Sequence, residues 1–437
     1  MSTNFKDTII NSVMKAVNTK GVLALKEGIL YTLPLTMVGS IFLLLAQLPI
    51  KALNDWFTSI FGPAWTEPLF QVYNATFAII ALVSVITIAY AYAKNSGHDG
   101  LMAGILSLVV FLITTSSSVT DAASGVTIGG VIPRAWTGGQ GMVTAIIIGL
   151  IVGALYSKLL DKNLSIKMPD GVPEGVTKQF AALIPAAIIF TGAMLVYIFF
   201  NVALKTTFIE WIYMVIQYPL QNLTDSLPAI MLICAIAPFL WVFGVHGTSI
   251  VTGVMDGIFL ANTMANQAII DSGLALTLEN GAKIVTKQFF DNFIIMTGTG
   301  ITIGLVVAMI IAGKSAQSKA LGKIAIFPAI FNINEPVTFG FPIVMNPLTF
   351  VPFVLIGPIA ALITYTAIAI GFMPPFGGVM VPWTTPPIIS GFIVAGWQGA
   401  LVQIILLATS VLIYFPFFKK QDAIHLKNEN EASGELI

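Results

Sequence analysis

The chain has 437 residues, of which 57% are hydrophobic and 9% are charged, and its formal net charge is zero. Soluble domains carry about 25% charged residues, so this composition excludes an ordinary soluble protein and indicates an integral membrane protein in a lipid bilayer. The balanced charge excludes the basic surface that nucleic acid binding requires, and the single cysteine, Cys234, excludes an internal disulfide. Cys234 lies in an apolar run and is predicted to be a core residue.

The N-terminal stretch from Phe5 to Leu25 has apolar residues at helical spacing with lysines among them. This pattern predicts an amphipathic helix that lies on the cytoplasmic face of a membrane. No cleavable signal is predicted, because the first long apolar run, residues 29–50, exceeds a signal-peptide core.

Apolar runs long enough to cross a membrane, at about 20 residues per crossing, follow along the chain. They cover residues 29–50, 71–93, 101–119, 142–160, 181–204, 228–245, 250–270, 290–312, 348–371 and 393–417. Two further segments, 324–346 and 373–392, are interrupted by Pro, Gly and Asn and are predicted to be re-entrant hairpins. The predicted fold is all-α integral membrane, with about ten transmembrane helices, two re-entrant hairpins and amphipathic interfacial helices.

The basic residues support one orientation of this layout. With the N-terminus in the cytoplasm, fifteen of the 20 Lys and Arg residues fall on the inside, as the positive-inside rule requires. Both termini are then cytoplasmic. The mixed segment Thr206 to Asp225 divides the chain into an N-terminal half with five spans, residues 1–225, and a C-terminal half, residues 226–420. Residues 421–437 are mostly polar and are predicted to be a disordered cytoplasmic tail.

Glu335 stands in the segment Phe331-Asn-Ile-Asn-Glu-Pro-Val-Thr-Phe-Gly340, within the first predicted hairpin. A charge at the centre of a membrane costs roughly 3 kcal/mol, so an intramembrane acid is by default a functional hypothesis. Pro336 prevents a simple spanning helix, and irregular backbone at membrane depth is tolerated only around protein or a water-filled cavity. Glu335 is therefore predicted to accept a hydrogen bond, or a proton, from a polar ligand. The alternative is a structural acid at a helix start.

His246 ends the sixth apolar run, between Gly244 and Gly247, and Thr248 follows it. Glycines permit a close approach of backbone to a ligand, and the neighbouring hydroxyl adds a hydrogen-bonding group. His246 is therefore a candidate ligand-binding residue, and the alternative is a core histidine whose hydrogen bonds are satisfied within the protein.

Three other titratable residues are weaker candidates. Asp256 is better explained as a cap or an interfacial residue, and His98 and His425 are predicted to be solvated. The chain contains no phosphate-binding glycine loop, and its histidines are far apart in sequence. No cofactor and no metal site is therefore predicted.

The second predicted hairpin contains Pro382-Trp-Thr-Thr-Pro386, in which prolines bracket an aromatic ring and two hydroxyls. The C–H face of a sugar packs on an aromatic ring, while its hydroxyls need hydrogen-bond partners. Trp383 and Thr384 are therefore candidate sugar-binding residues. The alternative is a tryptophan of the aromatic belt at the membrane interface.

These motifs together resemble one known family. The run Asn334-Glu335-Pro336, with Gly244-Val-His246-Gly before it and Pro382-Trp-Thr-Thr after it, is similar to the membrane component of one group of bacterial sugar phosphotransferase systems. This component is enzyme II C of the lactose/cellobiose/diacetylchitobiose family. The resemblance covers nearly the whole chain, including its division into five and five spans.

The resemblance implies the permease of a phosphoenolpyruvate-dependent system in the bacterial cytoplasmic membrane. It implies a homodimer, with dimerisation through residues 1–225 and sugar transport through residues 226–420. The substrate would be a β-linked disaccharide, with cellobiose favoured and diacetylchitobiose or lactose as alternatives. The permease presents this sugar to the phosphocysteine of an enzyme II B component. Enzyme II B receives its phosphoryl group from enzyme II A. The chain would act as the membrane part of a multi-component sugar phosphotransferase.

The resemblance also assigns roles to residues. Glu335 and His246 match the family's residues that contact sugar hydroxyls and are expected to be both substrate-binding and catalytic. Asn334, Trp383 and Thr384 are expected to bind substrate. Because the tail is short and Cys234 lies in a span, the phosphoryl-donor cysteine is expected on a separate chain.

Two other functions compete with this one. Glu335 and His246 also suit a proton relay, so a proton-coupled secondary sugar transporter is the second hypothesis. A membrane hydrolase or transferase that acts alone is the third, but the sequence contains no recognisable nucleophile–base motif for it.

Overall fold

The computed structural model describes residues 15, 19–46, 51–120, 125–169, 171–242, 247–341, 343 and 346–433. His246 and most of the predicted amphipathic helix from Phe5 to Leu25 lie outside these described residues. The described chain is helical apart from its loops and one antiparallel pair of strands, β1 (Ser118–Thr120) and β2 (Thr127–Gly129). The prediction of an all-α membrane fold is confirmed.

The described residues form nineteen α-helices. In chain order they are α1 (Lys20–Leu30), α2 (Leu33–Ala46), α3 (Lys51–Phe61), α4 (Glu67–Thr76), α5 (Ile80–Asn95), α6 (Gly100–Ile113), α7 (Arg134–Thr137), α8 (Met142–Asp161), α9 (Glu174–Ala181), α10 (Leu183–Ala203), α11 (Phe208–Ile212), α12 (Tyr218–Thr224), α13 (Leu227–Val242), α14 (Gly247–Asp271), α15 (Ile303–Ala312), α16 (Ala316–Ile330), α17 (Glu335–Gly340), α18 (Pro347–Ala369) and α19 (Ile389–Ser433). Long stretches without α-helix precede α7, α15 and α19. Helix α19 is kinked where Ala395 and Gly396 leave helical geometry.

The described residues separate into two compact units. The N-terminal unit reaches Asn222 and also contains Thr252–Ala265 from the middle of α14. The C-terminal unit contains Leu223–Val251 and the described residues from Asn266 onwards.

The core of the N-terminal unit forms around α5, which packs against α1, α6 and α8. Small residues permit these close contacts, as they do between membrane helices in general. A side chain at Gly28 of α1 would come within 2.6 Å of the Ile88 Cα of α5. Phe111 and Tyr156 fill the space between the helices and are almost fully buried.

The core of the C-terminal unit lies between α15, α16, α18 and α19. Four of its aromatic side chains, Phe341, Phe353, Tyr414 and Phe418, are at most 2% exposed. Helix α13 packs against α18 and contributes Cys234, which is 1% exposed. The prediction that Cys234 is a core residue is confirmed.

Six helical stretches of the described chain are long and apolar enough to cross a membrane. They are Lys20–Ala46, Glu67–Asn95, Gly139–Asp161, Glu174–Ala203, Leu348–Ala369 and Ile389–Glu431. The pair Phe208–Thr224 and Leu227–Trp241, bent by 78°, would add a seventh as one span, and Gly100–Ile113 and Ile303–Ala312 are shorter apolar helices. The number of about ten spans stays a prediction.

Three local expectations were wrong. The apolar run 290–312 is not one continuous helix: a π-helix, Phe289–Ile294, is followed by an irregular stretch before α15 begins at Ile303. The stretch after Lys420 is not disordered, since α19 continues to Ser433. His425 of this stretch is 8% exposed and not solvated, because its ring packs edge-on against Phe341.

Candidate functional site

The first broken segment, which we define as residues 314–346, consists of α16, a tight turn and the short helix α17. The turn contains Asn332 in the left-handed region, at φ 65°, where asparagine is one of the few tolerated non-glycine residues. Glu335 begins α17 and Pro336 follows it. Proline is favoured at this place because the first N–H groups of a helix have no partner within it. The local sequence therefore folds into a turn that ends with an exposed carboxylate, that of Glu335.

The second broken segment, which we define as residues 372–391, has no regular helix before Ile389. Trp383 is 53% exposed, and Thr384 is partly buried. The prolines around these residues explain the lack of helix, since proline has no N–H to donate and restricts the residue before it.

Asn332 joins the two broken segments. Its amide nitrogen donates hydrogen bonds to the carbonyl oxygens of Trp383, at 2.5 Å, and Thr385, at 2.9 Å. Its amide oxygen accepts one from the backbone N–H of Thr297, at 2.6 Å. One side chain therefore fixes Trp383 relative to the turn that carries Glu335.

A third stretch of irregular backbone, residues 295–302, lies beside the turn. Four of its residues are in the left-handed region: Thr297, Gly298, Gly300 and Ile301. A side chain at Gly298 would approach the Asn334 Cγ within 2.2 Å, so glycine is required there. The close approach lets the Asn334 amide donate to the Thr299 carbonyl oxygen at 2.9 Å, which leaves Asn334 only 6% exposed.

The chain that follows the sixth apolar run also contacts this stretch. The hydroxyls of Thr248 and Thr299 form a hydrogen bond. Thr248 is two residues after His246, which itself lies outside the described residues. Asp256 belongs to the part of α14 that forms the N-terminal unit, whereas the other candidates belong to the C-terminal unit.

The structure therefore joins the turn that carries Asn334 and Glu335 to the backbone of Trp383 and Thr385. Reasoning from the sequence missed Asn332 and the Thr297–Ile301 stretch. A signal for the second was present: the sequence Thr297-Gly-Thr-Gly300 interrupts an apolar run with two glycines and two hydroxyls. Asn332 had no comparable signal, because its partners at Trp383 and Thr385 are 51 and 53 residues away.

The exposed groups in this region are suited to hydrogen bonding and to aromatic packing. It offers one exposed carboxylate as an acceptor, an exposed indole face and nearby threonine hydroxyls. Among the described residues, no three His, Cys, Asp or Glu side chains lie close enough together to hold a metal ion. An aromatic surface with a few placed polar groups is typical of carbohydrate sites.

Comparison with known proteins agrees with this chemistry. Residues 26–357 match the family described as phosphotransferase system, EIIC. The chain belongs to this family. An EIIC is the membrane permease component of a sugar phosphotransferase system, and it works with EIIA and EIIB components on a sugar substrate. This EIIC is therefore a multi-pass membrane protein.

Similar proteins cover nearly the whole EIIC chain. It is 39% identical to the lichenan permease IIC component of Bacillus subtilis (strain 168), over 93% of this chain and 90% of that protein. It is 36% identical to the cellobiose-specific EIIC component of Geobacillus stearothermophilus, over 95% and 92%. Among solved structures, the transporter ChbC, the IIC component of the N,N'-diacetylchitobiose-specific system, aligns with a TM-score of 0.92 and 36% identity, over 97% of this chain and 99% of that one.

Proposed function

We propose that this EIIC imports a β-linked disaccharide, with cellobiose favoured over diacetylchitobiose and lactose. We also propose that the sugar binds between the tips of the two broken segments, which we define as the Asn332–Glu335 turn and residues 382–385. The observation that carries this proposal is the Asn332 side chain, which holds Trp383 beside the Asn334–Glu335 turn. The names of the similar proteins support the substrate class, since lichenan, cellobiose and diacetylchitobiose all contain β-linked glucose or its N-acetylamino derivative.

The proposed reaction uses Glu335 at the sugar hydroxyl that is phosphorylated. The hydroxyl oxygen attacks the phosphorus of a phosphocysteine on a separate EIIB chain, the S–P bond breaks and the O–P bond forms. Glu335 accepts the hydroxyl proton. Trp383 packs against a pyranose ring, while Asn334, Thr384 and His246 orient other parts of the sugar. Cys234 is not a candidate donor, because it is buried between helices.

We extend the proposal to the assembly and orientation of the protein. The N-terminal half, residues 1–225, forms the dimer contact, and both termini face the cytoplasm of a bacterium. The distribution of Lys and Arg over the predicted spans supports the orientation, and the resemblance to the family is the basis for the dimer contact. A cysteine that replaces Lys319 should be labelled only from the cytoplasmic side, and one that replaces Lys283 only from outside. Labelling of both from one side contradicts this orientation.

The test of function is sugar phosphate formation by membrane vesicles that contain this EIIC and receive phosphorylated EIIB. Wild-type protein should form cellobiose phosphate with or without an uncoupler. Glu335→Gln keeps the shape of the side chain but loses a charge-assisted hydrogen bond, typically about twice as strong as a neutral one. We expect weaker sugar binding and a larger loss of phosphorylation rate, because the proton acceptor is also lost.

Glu279→Gln is the matched control, since Glu279 is exposed in the surface turn Thr277–Gly281, and it should behave as wild type. Proton coupling makes the opposite prediction. Uncoupler-sensitive accumulation of unmodified sugar, with exchange retained in Glu335→Gln, would overturn the proposed function.

A further inference from the structure

The last helix contacts the beginning of the first broken segment through two carboxylates. Asp422 accepts hydrogen bonds from the backbone N–H of Lys314, at 2.7 Å, and from the Ser315 hydroxyl, at 2.6 Å. Glu429, two turns further along the helix, accepts from the backbone N–H groups of Ala316, at 2.8 Å, and Gln317, at 3.0 Å. These N–H groups precede or open α16, where a helix lacks internal partners for them.

The same part of α19 contacts the other end of the first broken segment. Gln421 accepts a hydrogen bond from the Asn346 side chain at 2.8 Å and is 2.9 Å from the His425 ring nitrogen. The His425 ring lies 5.4 Å from that of Phe341, edge-on. We name residues Gln421–Glu429 the C-terminal strap, because they contact the segment before its first helix and after its second.

Burial and helix capping stabilise the contacts of the C-terminal strap. Asp422 is 3% exposed and Gln421 is 6% exposed, so solvent does not compete for their hydrogen bonds. Carboxylates at the start of a helix satisfy unpaired N–H groups and also interact favourably with the helix dipole. The bonds between Asp422 and residues 314–315 join residues more than 100 positions apart in sequence, so they fix tertiary structure and not only a local turn.

The two helices that the strap holds meet at the candidate site. Helix α16 leads from Ala316 to the turn, and α17 begins at Glu335. Helix α16 connects its capped start to the turn over roughly 22 Å, at about 1.5 Å per residue, with Pro328 in its last turn. A shift at the capped start would therefore move the turn that carries Asn332 and Glu335.

We propose that Asp422 and Glu429 are positioning residues for this turn: through the start of α16 they hold Glu335 where the sugar hydroxyl is bound. The expected effect on sugar binding rests on the proposed function, whereas the expected effect on the mobility of the turn does not. The substitutions Asp422→Asn and Glu429→Gln each replace a carboxylate oxygen by an NH₂ group that faces a donor. The C-terminal strap should then separate from residues 314–317, and the turn should become more mobile.

The control is Glu431→Gln. Glu431 lies on the same helix, is exposed, and pairs with Lys427 at 3.6 Å. The Glu431→Gln substitution removes one carboxylate from this stretch of helix and leaves the bonds to residues 314–317 unchanged. A second test variant, Ser315→Ala, removes the hydroxyl partner of Asp422 together with the N-cap bond from the Ser318 N–H. If Asp422 acts through Ser315, the effects of the two substitutions should be non-additive in the double variant.

The experiment measures amide hydrogen exchange of the full chain in lipid nanodiscs, without sugar. We expect Asp422→Asn and Glu429→Gln to accelerate exchange about fivefold or more in residues 314–317 and also in residues 331–338, with no change in the N-terminal unit. In the phosphorylation assay, KM for cellobiose should rise more than kcat falls, because the mobile turn must be ordered when sugar binds. Glu431→Gln should change neither.

Faster exchange at residues 314–317 with unchanged exchange at 331–338 would overturn the inference, since the strap would then be a local cap. Glu429→Gln decides the question if Asp422→Asn fails to fold, because the Glu429 contacts are at the surface. A wild-type protein that forms no sugar phosphate would overturn the proposed function and leave the exchange result unaffected, so the two failures are distinguishable.

Discussion

The two broken segments satisfy their backbone hydrogen-bonding groups in different ways. The first is mostly helical, so most of its backbone hydrogen bonds are internal, and the C-terminal strap holds its ends. The second has irregular backbone from Phe372 to Ile388, and buried side-chain amides bind that backbone directly. In the apolar surroundings of a membrane protein, each unsatisfied backbone group costs several kcal/mol, so both solutions are ways to keep polar backbone deep in the fold.

The amides of the second segment come from three other elements. Near its start, the Asn266 side chain donates to the Phe376 carbonyl oxygen at 2.8 Å, and Gln288 donates to that of Gly377 at 2.6 Å. At its end, Gln403 accepts from the Ile388 and Gly391 N–H groups, at 2.5 and 2.9 Å. An amide side chain both donates and accepts, so it replaces the missing helical or sheet partners without adding a charge.

The two segments should therefore respond differently to substitution. Each part of the second is held by one amide side chain, so a single substitution should release that part. The first depends on several contacts at its ends, so single substitutions there should shift the turn without unfolding it. Substitutions of Gln403, Asn332 and Trp383 should reveal this difference.

Gln403→Leu should have the largest effect. Gln403 is fully buried, and besides its two accepted bonds it donates to the Asn292 carbonyl oxygen at 2.7 Å. The substitution leaves several buried backbone groups unsatisfied, at about 1 to 3 kcal/mol each. We expect a clearly lower melting temperature in nanodiscs and loss of sugar binding. Gln398→Leu, half-buried on the same helix, is the control. Equal stability of the Gln403 and Gln398 variants would show that the amide anchor is unimportant.

Asn332→Asp should separate the two segments with a smaller loss of stability. Aspartate keeps the acceptor for the Thr297 N–H and tolerates the left-handed backbone, but it loses the donor to the Trp383 and Thr385 carbonyl oxygens. Asn332 is partly buried, and its two donated hydrogen bonds contribute about 1 kcal/mol each. Their loss should loosen Trp383 relative to the turn, so cellobiose affinity should fall by about tenfold in calorimetric titration. Asn280→Asp, in an exposed turn, is the matched control. Unchanged affinity in the Asn332 variant would mean that the two tips do not act as one site.

Trp383→Ala should have the smallest of these effects and leave the fold intact. The removed indole face is worth on the order of 1 kcal/mol of sugar affinity, and Trp383→Phe should recover part of it. Trp397→Ala is the control, because Trp397 is similarly exposed, at 59%, and packs against Phe372. If both alanine variants bind cellobiose as tightly as wild type, Trp383 belongs to an aromatic belt at the membrane interface.

Much of this organisation was predictable from local sequence. The membrane class, the helical fold and the two interrupted segments follow from hydropathy, proline and glycine, because these act on their own neighbourhood. The candidate residues Glu335 and Trp383 were found for the same reason: an acid, and an aromatic between prolines, are conspicuous in apolar surroundings. The break at Thr297–Ile301 was missed because the flanking residues are apolar enough to suggest a continuous span.

The remaining features depend on contacts between distant parts of the chain. The stretch after Lys420 was predicted to be disordered because it is polar, although Asp422, His425 and Glu429 share one helical face. Its helix is stabilised by bonds to residues 314–317, which no local pattern reveals. The role of Asn332 is hidden in the same way, since its partners are backbone carbonyls, and any residue type supplies those.

A structure of this EIIC in nanodiscs with bound cellobiose would show whether the two broken segments form one sugar site. We expect a pyranose ring within about 4 Å of the Trp383 indole and one sugar hydroxyl within about 3 Å of the Glu335 carboxylate, with the Asn332 bonds to the second broken segment intact. Cellobiose bound away from both tips, or in contact with only one of the two broken segments, would contradict this expectation.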